Sequence, residues 1–176
     1  MHRRNFFQQA IVLAVAPLAL KAGVWRDGVL SGAAEAQGPS KLLKSDAAWR
    51  AILSREAYAV LREEDTERPF TSPLDKEKRE GTFVCAGCFL PLFSSANKFD
   101  SGTGWPSFTQ PNAGRVGMKR DFKLILPRKE YHCVRCGGHQ GHLFDDGPAP
   151  RRERWCNNGV ALVFVPVGEA LPALRS

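Results

Sequence analysis

Residues 82–93 read TFVCAGCFLPLF. β-Branched and aromatic residues, which favour strands, flank the motif Cys85-Ala86-Gly87-Cys88, and the glycine inside it permits a tight turn. The stretch therefore predicts two short strands, Thr82–Val84 and Leu90–Phe93, joined by a cysteine knuckle whose backbone amides can point at the sulfur atoms.

A second such motif, Cys133-Val134-Arg135-Cys136, begins after 44 intervening residues. Two CxxC pairs of this form have the spacing of a closed four-thiolate zinc site, in which the ligands leave no open position for a substrate. The sequence therefore predicts one structural zinc ion per chain, bound by Cys85, Cys88, Cys133 and Cys136. Two disulfides, which exported proteins favour, and a single redox-active CxxC pair are the alternatives.

Three further segments, Leu124–Leu126, Tyr131–Val134 and Val160–Val165, are rich in apolar residues of the kinds found in strands. The chain also holds 16 glycines and 12 prolines, which indicate frequent turns between short elements. These features predict a mainly antiparallel β domain, with the zinc ion joining two of its loops.

Two short helices are predicted upstream of the β domain. Ser45 and Ser54 are placed to cap helices over residues 46–53 and 55–63, because a serine hydroxyl can accept a hydrogen bond from the first helical turn. We therefore expect a helical hairpin that leads into the β domain.

Residues 1–36 have the features of a signal peptide. Arg3-Arg4-Asn5-Phe6-Phe7 fits the twin-arginine pattern, an apolar run extends from Ala10 to Leu20, and Ala34-Glu35-Ala36 offers small residues for cleavage. The apolar run is shorter than the roughly 20 residues that a membrane-spanning helix needs. We expect export to the periplasm without a stable membrane anchor; an ordinary secretory signal with two basic residues is the alternative.

The composition indicates one folded domain over residues 45–176, preceded by a polar linker over residues 37–44. Hydrophobic residues make up 43% of the chain and charged residues 24%, which suits a chain with a packed core. The net charge of +7 is spread along the chain with acidic residues interleaved, and no basic run alternates with stacking aromatic residues. We therefore expect no nucleic-acid partner.

Cys156 is the fifth cysteine of the chain and has no CxxC partner. If the segment that leads into Val160–Val165 is extended, Arg154, Cys156 and Asn158 share one face. A neighbouring cation lowers the pKa of a thiol and favours the thiolate. Cys156 is therefore a candidate nucleophile with Arg154 and Asn158 beside it; a small buried apolar side chain is the alternative.

Two histidines and a tryptophan complete the candidate site. His139 and His142 lie in a glycine-rich loop after the second CxxC motif, where they are candidates for acid–base catalysis. A second metal site and structural histidines are the alternatives. Trp105 lies in the turn Gly102-Thr103-Gly104-Trp105-Pro106, where an exposed indole could pack against a thioether or methyl group, or else belong to the core.

Taken together, these motifs resemble the B-type methionine-R-sulfoxide reductases. The similarity covers about residues 45–165 and is carried by five stretches: Tyr58–Arg62, Thr66–Phe70, Lys98–Phe108, His139–Pro148 and Arg154–Gly159. The resemblance implies a mainly β fold of two antiparallel β-sheets with short N-terminal helices and a structural zinc site. It also implies the reduction of methionine-R-sulfoxide in oxidised proteins or peptides.

By this resemblance Cys156 is the catalytic nucleophile, whose thiolate attacks the sulfoxide sulfur and becomes a sulfenic acid. The other site residues have the following implied roles: His139, His142 and Asn158 surround the sulfoxide oxygen and a bound water, Arg154 tunes the thiol, and Trp105 packs on the substrate S-methyl group. Either histidine could protonate the departing oxygen.

One position departs from the family pattern. Many members carry a second, resolving cysteine where this chain has Thr103, and the other four cysteines are assigned to zinc. We therefore expect an external thiol, either a small molecule or a thioredoxin-like protein, to reduce the Cys156 sulfenic acid. A non-catalytic zinc-ribbon-like binding module and a thiol peroxidase are the alternative functions.

Overall fold

The computed structural model describes residues 38–122 and 127–176. The signal segment predicted over residues 1–36 and the strand predicted at Leu124–Leu126 lie outside these residues. The described elements are two helices, α1 (Asp46–Ile52) and α2 (Arg55–Glu63), and nine strands: β1 (Gly81–Cys85), β2 (Pro91–Ser94), β3 (Lys98–Phe99), β4 (Ser107–Phe108), β5 (Val116–Asp121), β6 (Arg128–Cys133), β7 (His139–Phe144), β8 (Arg154–Asn157) and β9 (Leu162–Pro166). Within the described ranges, no helix has the length and apolar character needed to cross a membrane.

Both helices begin where the sequence predicts. The Ser45 hydroxyl accepts a hydrogen bond from the Ala48 amide at 3.3 Å, and the Ser54 hydroxyl accepts one from the Ala57 amide at 3.1 Å. Each cap satisfies one amide that has no partner inside its helix. Helix α2 buries Leu61 against the core, so the hairpin is packed on the β domain rather than extended from it.

The strands form two antiparallel sheets. The smaller sheet has three strands in the order β2-β1-β9, and the larger has six in the order β3-β4-β8-β7-β6-β5. The two sheets come from interleaved parts of the chain, because β9 follows β8 of the larger sheet and then pairs with β1 of the smaller one. The prediction of a mainly β fold with two antiparallel sheets and two short helices is confirmed.

Aromatic side chains join the two sheets in the core. Phe83 and Phe93 of the smaller sheet pack on Phe108 of the larger one, with ring centroids 5.0 and 4.2 Å apart. Phe93 also approaches Tyr131 at 6.1 Å, and Tyr131 packs on Trp155 at 5.0 Å. These ring contacts pack strand β8, which carries Trp155, against the core.

Two sequence expectations differ from the structure. The predicted strand Val160–Val165 begins two residues later, because Gly159–Ala161 forms a 3₁₀ turn. The glycine-rich loop expected at His139–His142 is the start of strand β7. Gly141 in this strand marks a close approach of backbones, since a Cβ atom there would lie 1.9 Å from the Cys156 carbonyl oxygen.

Candidate active site

Cys156 lies in the middle of the larger sheet, at the floor of a small cavity. Strand β8 runs between β4 and β7, and Cys156 pairs with Ser107 on one side and with His142 on the other. The cavity has a volume of about 100 Å³ and is lined by Thr66, Trp105, Arg128, Gly141, His142, Phe144, Cys156, Asn157 and Asn158. Four of the six site residues predicted outside the cysteine cluster therefore meet in one cavity.

A bulge in β7 determines on which side of the strand the His139 and His142 rings lie. Gln140 is the extra residue of this bulge, because the pairing partner of β7 advances by one residue where β7 advances by two. In a regular strand, residues three apart lie on opposite faces, and the extra residue restores them to one side. The His139 and His142 rings consequently meet edge to face, with centroids 5.4 Å apart.

His142 is the histidine that lines the cavity. Its Nε2 atom lies 2.8 Å from Oδ2 of the buried Asp121 carboxylate, and the same oxygen accepts a hydrogen bond from Arg128 Nη2 at 2.7 Å. Burial holds the pKa of His142 below its ordinary value of 6.5, although the hydrogen bond to Asp121 opposes this shift. The ring is therefore anchored by a carboxylate that also binds a guanidinium.

His139 lies behind His142, away from the cavity wall. Its side chain is only 2% exposed, and its Nδ1 atom lies 2.8 Å from Oε1 of the buried Glu130. The family resemblance implies that His139 lies beside the sulfoxide oxygen together with His142. The structure instead gives it a position from which it contacts His142 rather than the cavity.

Arg154 lies beside Cys156, as its position two residues away in the strand predicts. Its guanidinium donates two hydrogen bonds to the exposed Asp146 carboxylate, at 2.7 and 3.0 Å, and covers the Phe144 ring at 4.3 Å. The expectation of a lowered thiol pKa is wrong. Burial raises the pKa of Cys156 above its ordinary value of 9.0, and the opposing effect of the Arg154 charge is smaller.

Trp105 and Asn158 are both held by the segment after α2. The Trp105 Nε1–H donates to the Glu67 carbonyl at 3.1 Å, and the indole is half-buried rather than fully exposed. Asn158 accepts a hydrogen bond from the Glu67 amide at 3.1 Å and donates one to the Gln140 carbonyl at 3.0 Å. Both polar groups of the Asn158 amide therefore hold the cavity wall together.

Several residues that support this site were not predicted from the sequence. Glu67 accepts hydrogen bonds from the amides of the turn after β8, and burial raises the pKa of its carboxyl group. Glu67 and Asp146 lie inside stretches that carry the family resemblance, so a signal for them was present. No motif marks Asp121, which comes to His142 only through the pairing of β5, β6 and β7.

The four remaining cysteines form a buried cluster. Their sulfur atoms all lie within 4.8 Å of one another, with Cys85 and Cys136 3.6 Å apart and Cys88 and Cys133 3.5 Å apart. The sulfur atoms are therefore not joined as disulfides in this structure, since disulfide sulfur atoms lie about 2.05 Å apart. Zinc–sulfur bonds of about 2.3 Å give a tetrahedron with edges of about 3.8 Å, so the cluster fits a tetrahedral metal ion.

The two knuckles have the same backbone geometry. The residue after each motif, Phe89 or Gly137, has a positive φ, of 61° and 69° respectively. Its amide donates to the carbonyl of the first cysteine of its motif, at 2.8 Å to Cys85 and 2.9 Å to Cys133. Because Cys85 ends β1 and Cys133 ends β6, a bound metal ion would tie one sheet to the other.

The electrostatics of the cluster also suit a cation. Four buried thiol groups lie within 4.8 Å of one another, so ionising several of them would place like charges close together in a site shielded from water. A dication would compensate several thiolates at once.

Comparison with known proteins assigns the chain to a family. The family model described as the SelR domain matches residues 53–166. "Peptide methionine sulfoxide reductase MsrB" of Bradyrhizobium diazoefficiens is 50% identical over 127 residues, which are 72% of this chain and 91% of that relative. The chain belongs to the B-type methionine-R-sulfoxide reductase family. Relatives with the same name are 49% identical in Agrobacterium fabrum and 48% identical in Methanosarcina barkeri, over 72% and 69% of this chain and 95% and 86% of each relative.

As a B-type methionine-R-sulfoxide reductase, the chain is an enzyme, and the predicted activity is confirmed. The alternative of a non-catalytic zinc-ribbon-like module does not hold. The four-cysteine cluster lies within the matched region, as do the residues that line the cavity.

Proposed function

We propose that the chain reduces methionine-R-sulfoxide in oxidised proteins and peptides at the cavity over Cys156. The position of this thiol carries the proposal. Four cysteines are buried together in the cluster, whereas Cys156 lines a cavity and is paired directly with His142. A sulfoxide group in this cavity has a sulfur nucleophile and a proton donor on adjacent strands.

The reaction begins with attack of the Cys156 thiolate on the sulfoxide sulfur. The sulfoxide oxygen passes to the Cys156 sulfur with one proton, methionine leaves, and Cys156 becomes a sulfenic acid. His142 supplies the proton, since it lines the cavity and His139 does not. Asp121 and Arg128 hold the His142 ring in place, and the Asp121 carboxylate favours the imidazolium form that donates.

Trp105 packs against the substrate S-methyl group. Its indole lines the same cavity as Cys156, and the hydrogen bond to Glu67 fixes the orientation of the ring. Asn158 positions the cavity wall and does not contact the substrate oxygen, because both polar groups of its side-chain amide already bond to backbone groups. Arg154 favours the thiolate electrostatically, although less than burial disfavours it.

An external thiol restores Cys156. Thr103 stands where a resolving cysteine would be, and the other four sulfur atoms belong to the cluster. A first external thiol displaces water from the sulfenic acid and leaves a mixed disulfide, and a second thiolate then releases Cys156. The reductant is a small thiol or a thioredoxin-like protein.

The metal ion of the cluster is zinc, one per chain, held by Cys85, Cys88, Cys133 and Cys136. Its contribution is structural, because four thiolates leave no coordination position for a substrate. Borderline-soft zinc suits an all-sulfur site with these separations.

Residues 1–36 direct export to the periplasm by the twin-arginine route. Replacing Arg3 and Arg4 by lysine should retain precursor in the cytoplasm, because the guanidinium pair is what distinguishes this signal from an ordinary one. Undiminished export of the double variant, measured by fractionation, would indicate the general secretory route instead.

Turnover of stereochemically pure sulfoxides tests the proposed function. With dithiothreitol as reductant, the protein should reduce a peptide containing methionine-R-sulfoxide and leave the S epimer unchanged. The Cys156→Ser variant should lose this activity while its thermal unfolding stays cooperative. Reduction of the S epimer, or activity that persists in Cys156→Ser, would contradict the proposal.

A further inference from the structure

We propose that the hydroxyl groups of Ser107, Ser101 and Thr103 form a hydrogen-bonded chain that ends on the Cys156 sulfur and stabilises its thiolate. This inference rests on the proposed role of Cys156 as the nucleophile. It assigns a function to Thr103, which stands where many family members carry a resolving cysteine.

The chain of hydroxyl groups begins at the sheet. Ser107 is fully buried and is the direct cross-strand partner of Cys156, so both side chains lie on the same face. This pairing places the Ser107 hydroxyl as a side-chain hydrogen-bond partner of Cys156, which lowers the pKa of the Cys156 thiol. The Ser107 oxygen is 2.9 Å from the Ser101 hydroxyl, which is in turn 2.8 Å from the Thr103 hydroxyl.

Each hydroxyl group of Ser107, Ser101 and Thr103 can donate to the next group when Cys156 is ionised. Each hydroxyl group has one proton to donate and can accept at least one hydrogen bond. In the resting state, Ser107 donates to the Trp105 carbonyl at 3.1 Å. When the thiolate forms, the Ser107 proton turns to the sulfur, Ser101 donates to Ser107, and Thr103 donates to Ser101. Successive hydrogen bonds of this kind strengthen one another.

The thiolate has need of such a donor. Its charge lies in a partly buried position, and the Arg154 guanidinium, which also lowers the pKa of the thiol, shares its donors with Asp146. A hydroxyl that donates to an ionised group forms a stronger hydrogen bond than one between neutral groups. Threonine at position 103 supplies a hydroxyl donor at the end of the chain, whereas the S–H group of a cysteine is a weak donor.

The pH dependence of Cys156 alkylation tests the inference. The purified, metal-loaded protein is treated with iodoacetamide, and the rate at Cys156 is followed by mass spectrometry. Ser107→Ala should slow alkylation at pH 7 about tenfold and move the alkaline inflection to higher pH, because the thiolate loses a charge-assisted hydrogen bond. Thr103→Val should act in the same direction by about twofold. Rates above the inflection should be equal in all variants.

Thr109→Val is the matched control. Thr109 follows β4 and its hydroxyl bonds to the Asn97 carbonyl at 3.4 Å, outside the proposed chain. This variant should keep the wild-type profile. Unchanged profiles in Ser107→Ala and Thr103→Val would overturn the inference, as would slower alkylation at every pH, which indicates altered access. Should Ser107→Ala fail to fold, an unchanged Thr103→Val profile is sufficient to overturn it. If wild-type Cys156 shows no pH-dependent alkylation, the proposed function fails instead.

Discussion

His142 and Cys156 are direct partners across strands β7 and β8, and both line the same cavity. This pairing makes the two residues neighbours on one face of a rigid sheet, so a proton donor and a nucleophile have fixed relative positions. The other histidine, His139, lies behind His142, and its Nδ1 atom contacts the Glu130 carboxylate. The pairing with Cys156 therefore separates the roles of His142 and His139, which the sequence alone does not distinguish.

Replacing each histidine by glutamine should show this difference. Loss of a positioned general acid typically costs 10²–10⁴ in rate, so His142→Gln should lower the single-turnover rate of methionine formation about a hundredfold or more. His139→Gln is the matched control and should lower it by less than about tenfold, because His139 acts only through the packing of His142. A larger loss in His139→Gln than in His142→Gln would reverse the assignment.

The reaction should have a broad pH optimum. The active form needs thiolate at Cys156 and imidazolium at His142, yet the pKa of Cys156 lies above 9.0 and that of His142 below 6.5. Between these values, each unit of pH multiplies the thiolate about tenfold and reduces the imidazolium by the same factor. The single-turnover rate should therefore be level, with an acid limb below pH 6.5 and an alkaline limb above pH 9.0.

Asp121→Asn provides a further check on this profile. The Asp121 carboxylate raises the pKa of His142, so its removal should lower that pKa. The acid limb should then move to lower pH, and the rate in the level region should fall. The alkaline limb belongs to Cys156 and should not move. A profile identical to that of the wild type would exclude Asp121 from any effect on His142.

Metal removal should unfold the domain. In zinc-finger peptides, structural zinc contributes about 10–16 kcal/mol of apparent binding energy, which is comparable with the whole stability of about 5–15 kcal/mol of an ordinary domain. Cys88→Ser should therefore lose both the bound metal and the cooperative thermal transition. Cys156→Ser is the matched control and should keep both. A sharp transition in metal-free protein with two disulfides would show that the cluster is not a zinc site.

The sequence predicts the framework of this protein well. The spacing of Cys85, Cys88, Cys133 and Cys136 determines the cluster, since two CxxC knuckles of this form have few other uses. Ser45 and Ser54 begin the helices as predicted, because the capping hydrogen bond is local to a few residues. These features depend on short-range geometry, which a single sequence carries.

The properties that depend on long-range packing were not predictable. The bulge at Gln140 brings the His139 and His142 rings to the same side of β7, and no residue spacing shows that a strand contains an extra residue. The raised pKa of Cys156 results from burial by distant parts of the chain, whereas the sequence shows only the neighbouring Arg154. Asp121 reaches His142 through the pairing of three strands.

The state of Cys156 after one turnover shows whether the enzyme works with this cysteine alone. One equivalent of a methionine-R-sulfoxide peptide is added to the metal-loaded protein without any reductant, and the products are analysed by mass spectrometry. We expect one methionine per chain, a dimedone-reactive sulfenic acid at Cys156, no internal disulfide, and zinc still bound. A disulfide between Cys156 and a cysteine of the cluster, with zinc released, would contradict the claim that this enzyme works with Cys156 alone.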